Sequence, residues 1–233
     1  SVALSAILRW AMAFAKCEAA LAWWAKRTVG QRFVYSYWAG PATSAAALMP
    51  HLEAKIFCRI HRADLYEEEA ALGFIPFLPH VLASCNRIFA ISDHGHSYIA
   101  YKFPTLADRT EVSRLGVVGD AVDHSKLKAE KFHILTCSSL EPQKRPLFLA
   151  ESLFTLARQE PNRRFQWTHF GTGSMQREFV SFIKNNPDNL EHHWKGARSN
   201  SEVRSFMMSE PVDLFLNLSQ SEGLPVSIME AMA

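Results

Sequence analysis

Two carboxylates with seven residues between them, Glu222 and Glu230, lie at the end of this 233-residue sequence in a pattern suited to a hydroxyl-rich ligand. An apolar run, Val212 to Leu218, feeds the polar turn Ser219 to Leu224. Pro225 then opens a helix at the first-turn position, where its missing N–H costs nothing. The first amides of a helix have no internal partner and carry the positive end of its dipole, so the stretch Gly223 to Val226, Pro225 excepted, offers main-chain donors to ligand oxygens. Gly223 permits close approach to the backbone. A carboxylate accepts pairs of hydroxyl hydrogen bonds, which suits a sugar or a ribose. The spacing alone fits equally a capping acid followed by a solvated helix glutamate.

A second cluster stands in the loop Ser138 to Pro146. Lys144 and Arg145, adjacent cations just before a helix, are suited to clamp a diphosphate, each charge-assisted bond contributing on the order of 1.5–3 kcal/mol. By themselves they also read as a pair of solvated loop cations. Gly171-Thr172-Gly173 follows another apolar run, and a tight strand-to-helix turn explains that pattern fully. In the first half, Arg59-Ile60-His61-Arg62-Ala63-Asp64-Leu65-Tyr66 closes a strand with an imidazole among charges. A lone histidine is usually structural, yet this one is at a strand's carboxyl end, where open α/β sheets hold ligands. Ser92-Asp93-His94-Gly95 and Ser113-Arg114-Leu115-Gly116 occupy similar positions. His94-x-His96 and His192-His193 have no carboxylate or thiolate at ligand spacing, so exposed histidines rather than metal ligands are expected.

The elements that must position these groups alternate. Residues 3–28 read as a long Ala-rich helix with Lys26 and Arg27 at the end that favours cations. Strands are expected over 33–37, 55–60, 87–91 and 111–118, with helices over 40–49 and 92–101. The polar stretch Gly119 to Lys131 suggests a boundary, giving an N-terminal unit 1–122 and a C-terminal unit 123–233. Beyond it the alternation restarts, with strands over 132–137, 165–170, 190–194 and 212–218 and helices over 146–159, 175–184 and 201–208, the last before the helix opened by Pro225. Such alternation predicts parallel βαβ units, hence two Rossmann-like α/β halves.

Composition narrows the function. A net charge of +2 gives no reason to expect a nucleic-acid partner. Cys17, Cys58, Cys85 and Cys137 form no C-x-x-C pair, and Cys58 and Cys137 fall within apolar runs, which predicts reduced, buried thiols in a cytosolic protein. Arg9, Lys16 and Glu18 interrupt the opening apolar run before the roughly 20 residues a spanning helix needs. The first residue is Ser, and Ala233 stops a helix soon after it begins, so a chain cut at both ends is expected.

With Gly223-Leu224-Pro225 after its first acid and Glu230-Ala231-Met232-Ala233 at its close, the paired-glutamate motif resembles the E-x7-E signature of glycosyltransferase family 4, retaining enzymes of the GT-B fold. The resemblance implies two Rossmann-like domains facing across a cleft, the first on the acceptor side and the second binding a nucleotide sugar. It implies retaining transfer of a sugar from a nucleoside diphosphate sugar to a hydroxyl acceptor, with lipid-linked saccharides among the acceptors and polysaccharide or glycolipid synthesis as the setting. The loop at 138–146 is similar to the family's G-R-L…K-G segment: Lys144 matches the Lys, whereas the family Arg falls on Ser139 and Arg145 stands where Gly is usual. Gly171-Thr172-Gly173 resembles the family's G-x-G turn, and Trp194-Lys195-Gly196-Ala197 the next strand end. By the same resemblance His61, Lys144 and Glu222 are the catalytic candidates. Ser139, Lys144, Arg145, Gly171, Gly173 and the residues Glu222 to Val226 with Glu230 are donor-binding candidates, and Arg59, Asp64 and Arg114 belong to the acceptor or phosphate side. Neither cofactor nor metal is implied, and the location is cytoplasmic, extending to peripheral contact at the inner face of the membrane. A sugar-nucleotide epimerase of the same fold and a non-catalytic nucleotide-sugar-binding module are the alternatives.

Overall fold

The computed structural model describes residues 2–70, 73–119 and 130–233. The chain divides into two compact units, Ser1–Leu115 and Gly116–Ala233. The boundary expected at 122/123 lies outside the described residues.

The first unit runs α1 (Val2–Ala25), β1 (Arg32–Ser36), α2 (Pro41–Ala47), β2 (Ala54–Ile60), α3 (Leu78–Ser84), β3 (Arg87–Ala90), α4 (Asp93–Lys102) and β4 (Thr110–Val112). Its four strands pair in parallel in the order β1-β2-β3-β4, with Ser36 opposite Cys58 and Ile60 opposite Ala90. Alternation along β2 turns Ile56, Cys58 and Ile60 into a core completed by Leu78, Leu82, Ile88 and Ile99. Among the described residues, α1 packs on that core through its distal part, at Leu21, Ala22, Trp24 and Ala25. Ser92 caps α4 by accepting from the Gly95 amide at 3.1 Å.

The second unit runs β5 (Phe132–Cys137), α5 (Pro146–Gln159), β6 (Phe165–Phe170), α6 (Gln176–Ile183), β7 (Leu190–Gly196), α7 (Asn200–Ser209), β8 (Leu214–Phe215) and α8 (Val226–Met232). Its parallel sheet has the order β7-β6-β5-β8. Ile134, Leu149, Leu153, Phe154, Trp167 and Phe179 form its centre. A capping box between Ser199 and Glu202 starts α7.

Several expectations need correction. The strand expected over 111–118 is only Thr110–Val112, and that expected over 212–218 only Leu214–Phe215. In the second case the Asn217 side chain takes the Ser219 amide at 2.8 Å and turns the chain away from the ladder. Pro225 is the cap of α8, whose first residue is Val226. Helix α3 was not anticipated. Cys58 is buried as expected, whereas Cys137 is only partly so. His192 is not an exposed histidine: its ring packs edge-on against Trp167 at 4.5 Å, because strand alternation sends it inward while His193 pairs with Glu191 at 2.8 Å on the other face. Among the described residues no helix is long and apolar enough to cross a membrane.

Polar groups run through this second core. His133 bonds Pro211 O and Thr168 Oγ1, each at 2.9 Å, and Thr136 Oγ1 meets both His169 Nδ1 at 2.8 Å and Trp167 Nε1 at 2.9 Å. The Nε2 atoms of His169 and His192 are buried without a hydrogen-bond partner. Burial, aided by the neighbouring His192, lowers the His169 pKa to about 3, and burial with His193 lowers that of His192 to about 4. The unfolded chain takes up these protons near pH 6.5 and the folded chain does not, so folding loses roughly 1.4 kcal/mol per pH unit for each histidine as pH falls below 6.5. In the first unit, burial raises Asp64 to about 6, which acts with the opposite sign between about pH 6 and its unfolded value. Scanning calorimetry from pH 7 to 4.5 is therefore expected to show a smaller loss of thermal midpoint for His192→Phe than for the parent chain. Parallel pH profiles would contradict the assignment of His192.

Candidate functional site

In the second unit the carboxyl ends of β5, β6 and β7 are tied together by main chain. Ser138 N donates to Phe170 O at 3.1 Å, Leu140 N to Thr172 O at 3.0 Å and Gly171 N to Gly196 O at 2.9 Å, while Trp194 Nε1 donates to Gly171 O at 2.9 Å. This packing leaves no room for side chains at the two glycines of the G-x-G turn. A Cβ on Gly171, whose φ is +140°, meets Ser138 O at 1.8 Å, and one on Gly173 meets Leu140 O at 2.5 Å. Both are required by the approach of the two loops. Glu141 completes the joint by accepting from the Ser174 amide at 2.9 Å and from its hydroxyl at 2.5 Å, bonds that hold its pKa down.

On this frame Lys144 ends a short 3-10 turn, Pro142–Lys144, and reaches Glu222 Oε1 at 2.6 Å. The two segments also join through Gln220 N and Gln143 O at 2.8 Å. Asn217 Nδ2 donates to the same Glu222 oxygen at 3.1 Å while Asn217 Oδ1 holds the Ser219 amide, so this side chain aims the carboxylate. Partial burial pushes the Glu222 pKa up, but the bonds from Lys144 and Asn217 and the Lys144 charge outweigh it and leave the carboxyl below its ordinary value. It is ionised at neutral pH. Gly223 and Leu224 make the bend between Glu222 and Pro225.

Arg145 adopts left-handed backbone, φ 54° and ψ 48°, as the cap of α5, which supplies the physical reason a glycine suits that position. Its guanidinium stands 4.2 Å above the Phe148 ring. Ser139 is exposed on the same loop. Glu230 takes a different partner from Glu222: Asn200 Nδ2 donates to it at 2.7 Å, and it lines a cavity of about 330 Å³ with Arg204, Met207, Asp213 and Phe215. Burial, followed by the Glu230 charge, raises the Cys137 thiol to about 11. The structure thus joins Lys144 to Glu222 and sets Glu230 against α7.

In the first unit His61 is 7 % exposed beneath Trp38, the rings stacked at 4.0 Å, and neither ring nitrogen has a hydrogen-bond partner. Burial, then the Arg59 charge, lowers its pKa to about 4, so the imidazole is neutral at pH 7. Arg59 donates to Tyr35 Oη at 3.0 Å and Ser113 Oγ at 2.8 Å, spanning the sheet. Asp64 spends both oxygens on main chain, taking Ala39 N at 2.5 Å and His61 N at 2.6 Å. Arg114 forms an exposed ion pair with Asp93. Among the described residues no group of three or more His, Cys, Asp or Glu side chains could hold a metal ion. Asn217 escaped sequence reasoning, and its only signal there is an Asn between an apolar run and a polar turn.

Residues 119–233 match the family described as Glycosyl transferases group 1. That match lies within the second unit. No curated protein matches the chain. Among solved structures it is similar to a point mutant of TarM from S. aureus crystallised with Fondaparinux, alpha-GlcNAc-glycerol and UDP, at 15% identity and TM-score 0.70, covering 92% of this chain and 43% of that one. The lipopolysaccharide outer core galactosyltransferase WaaB is similar at 18% identity and TM-score 0.63, covering 94% and 58%. Anabaena Alr3699/HepE in complex with UDP is similar at 16% identity and TM-score 0.64, covering 91% and 60%. These likenesses show the fold, the α/β GT-B architecture built from parallel sheets. The chain spans between about two fifths and three fifths of the length of those proteins.

Among the described glycines of the second unit, Gly171 makes the tightest approach. Overlap with Ser138 O and the positive φ together predict that Gly171→Ala loses about 3 kcal/mol or more of stability. Urea unfolding followed by fluorescence of the buried Trp167 tests this, and a midpoint equal to the parent's contradicts it.

Proposed function

We propose that the chain is part of a retaining glycosyltransferase that moves a sugar from a nucleoside diphosphate sugar to a hydroxyl acceptor. The observation that carries this reading is the Lys144–Glu222 pair, a cation and an ionised carboxylate braced against each other on two strand-end loops of the unit that matches the group 1 family. A diphosphate competes for Lys144, and its arrival frees Glu222 to accept sugar hydroxyls. TarM and Alr3699/HepE, crystallised with UDP, and Alr3699/HepE with UDP and glucose, support a uridine nucleotide and a hexose as ligands of this class.

In the proposed reaction the bond between the anomeric carbon and the diphosphate oxygen breaks as the acceptor oxygen attacks from the same face. The acceptor's proton passes to the departing phosphate oxygen. Lys144 stabilises the charge that develops on the diphosphate, Arg145 adds to it by leaving the Phe148 ring, and Glu230 holds the ribose. Gly171 and Gly173 keep the two loops close, and main chain at Gly223 to Val226 accompanies Glu222 on the sugar. Neutral His61, with Arg59 on the strand before it and Arg114 after β4, serves the acceptor side. No metal is assigned. A lipid-linked saccharide is the proposed acceptor and the inner face of the cytoplasmic membrane the proposed setting.

Two variants test the roles. Lys144→Ala is expected to weaken UDP binding at least about tenfold, roughly 1.4 kcal/mol, in a calorimetric titration; an unchanged affinity removes Lys144 from the site. Glu222→Ala is expected to lower sugar transfer by about a hundredfold or more in a folded protein, and wild-type turnover would falsify the sugar-holding role. Assayed with UDP sugars, an acceptor-dependent release of UDP supports transfer. Interconversion of free sugar nucleotides without acceptor indicates the epimerase instead.

A further inference from the structure

The first unit holds an exposed aromatic pair in a fixed posture. Tyr37 and Trp38, directly after β1, are 47% and 48% exposed. Each is in ring contact with the buried His61, at 4.8 Å and 4.0 Å, and the two meet each other edge-on at 6.2 Å. The Arg59 guanidinium sits 5.9 Å from the Tyr37 ring centre, and the Tyr35 hydroxyl bonds Arg59 at the margin.

What fixes this pair is buried and polar. Trp38 O accepts from Ser36 Oγ at 2.7 Å and Thr43 Oγ1 at 2.6 Å, and the next amide, Ala39 N, is held by the Asp64 carboxylate. Thr43 is fully buried and Asp64 is 8 % exposed. Removing a carboxylate from water is costly, and here that cost rigidifies a backbone whose outward-facing side chain is a half-exposed indole. The arrangement is preorganised for something that lies on the outer indole face.

We propose that Tyr37 and Trp38 form a stacking platform for the sugar ring of a saccharide acceptor. This inference rests on the transferase reading, which gives the nucleotide to the second unit and leaves the hydroxyl substrate to the first. A pyranose presents a C–H face to an aromatic ring while its equatorial hydroxyls point outward to a polar rim. Arg59 and the Tyr35 hydroxyl supply that rim, and the orphaned nitrogens of His61 lie under the same indole. Trp38 is a positioning residue for the acceptor and not a group that touches the reacting phosphate.

The test uses the full chain with 15N-labelled tryptophan. Comparison with Trp38→Phe assigns the Trp38 indole resonance, and methyl hexopyranosides, maltose, lactose and chitobiose are titrated separately from UDP. At least one saccharide is expected to shift that resonance in the millimolar range. Trp38→Ala is expected to weaken its binding at least about tenfold, and Trp38→Phe less than about threefold, with UDP affinity unchanged in both. If UDP binds but no saccharide moves the resonance, the platform is overturned while the transferase reading stands. A Trp38 shift caused by UDP overturns it as well, since the aromatic pair then stacks a nucleobase. Failure of both UDP and saccharides to bind removes the platform together with the transferase reading.

Discussion

An ion pair, Lys144 with Glu222, joins the two strand-end loops of the second unit on which the proposed chemistry depends. It connects the loop after β5 with the turn that leads into α8, at 2.6 Å and with both side chains largely shielded from water. A pair on the surface contributes little, and a buried one often repays no more than its desolvation cost. Stability alone is therefore a weak reason for these two charges to be brought together and then braced by Asn217. On the proposed reading each is a placeholder for the other: the cation is kept available for an anion, and the carboxylate is kept ionised and aimed for hydroxyl groups.

The pair depends on close contact of two loops, one of which has glycine at the points of approach. Gly171 and Gly173 let main chain lie on main chain, and the backbone bonds among Ser138, Phe170, Leu140, Thr172 and Gly196 fix the platform from which Lys144 projects. The first unit uses a different device for a similar end. There the Asp64 carboxylate is buried to hold two amides, and those amides set the posture of His61 and Trp38. In both units a desolvated or tightly packed polar element positions a partly exposed group at the carboxyl ends of parallel strands, where an open α/β sheet offers a ligand site.

Much of this was legible in the residues. Short apolar runs alternating with helical segments marked the described strands, β4 excepted, within a few residues, and the resemblance carried by the Glu222-to-Glu230 motif agrees with the family match over 119–233. What escaped was set by contacts distant in sequence. Asp64 looked like a ligand group among charges, because nothing nearby shows that Ala39, 25 residues away, takes one of its oxygens. The His192-His193 pair read as exposed until sheet pairing placed His192 beside Trp167. Arg145 looked like a plain cation, whereas its left-handed backbone and the Phe148 ring under it decide where its charge rests. Helix α3, only Leu78–Ser84 with a proline in its first turn, is too short to show a period.

The central claim is that the Lys144–Glu222 contact yields to a sugar nucleotide. A crystal structure of the chain with a UDP sugar measures this directly. The account predicts Lys144 Nζ on a diphosphate oxygen and Glu222 turned to hydroxyls of the sugar. A nucleotide bound elsewhere, with Lys144 and Glu222 still paired as they are now, would contradict it.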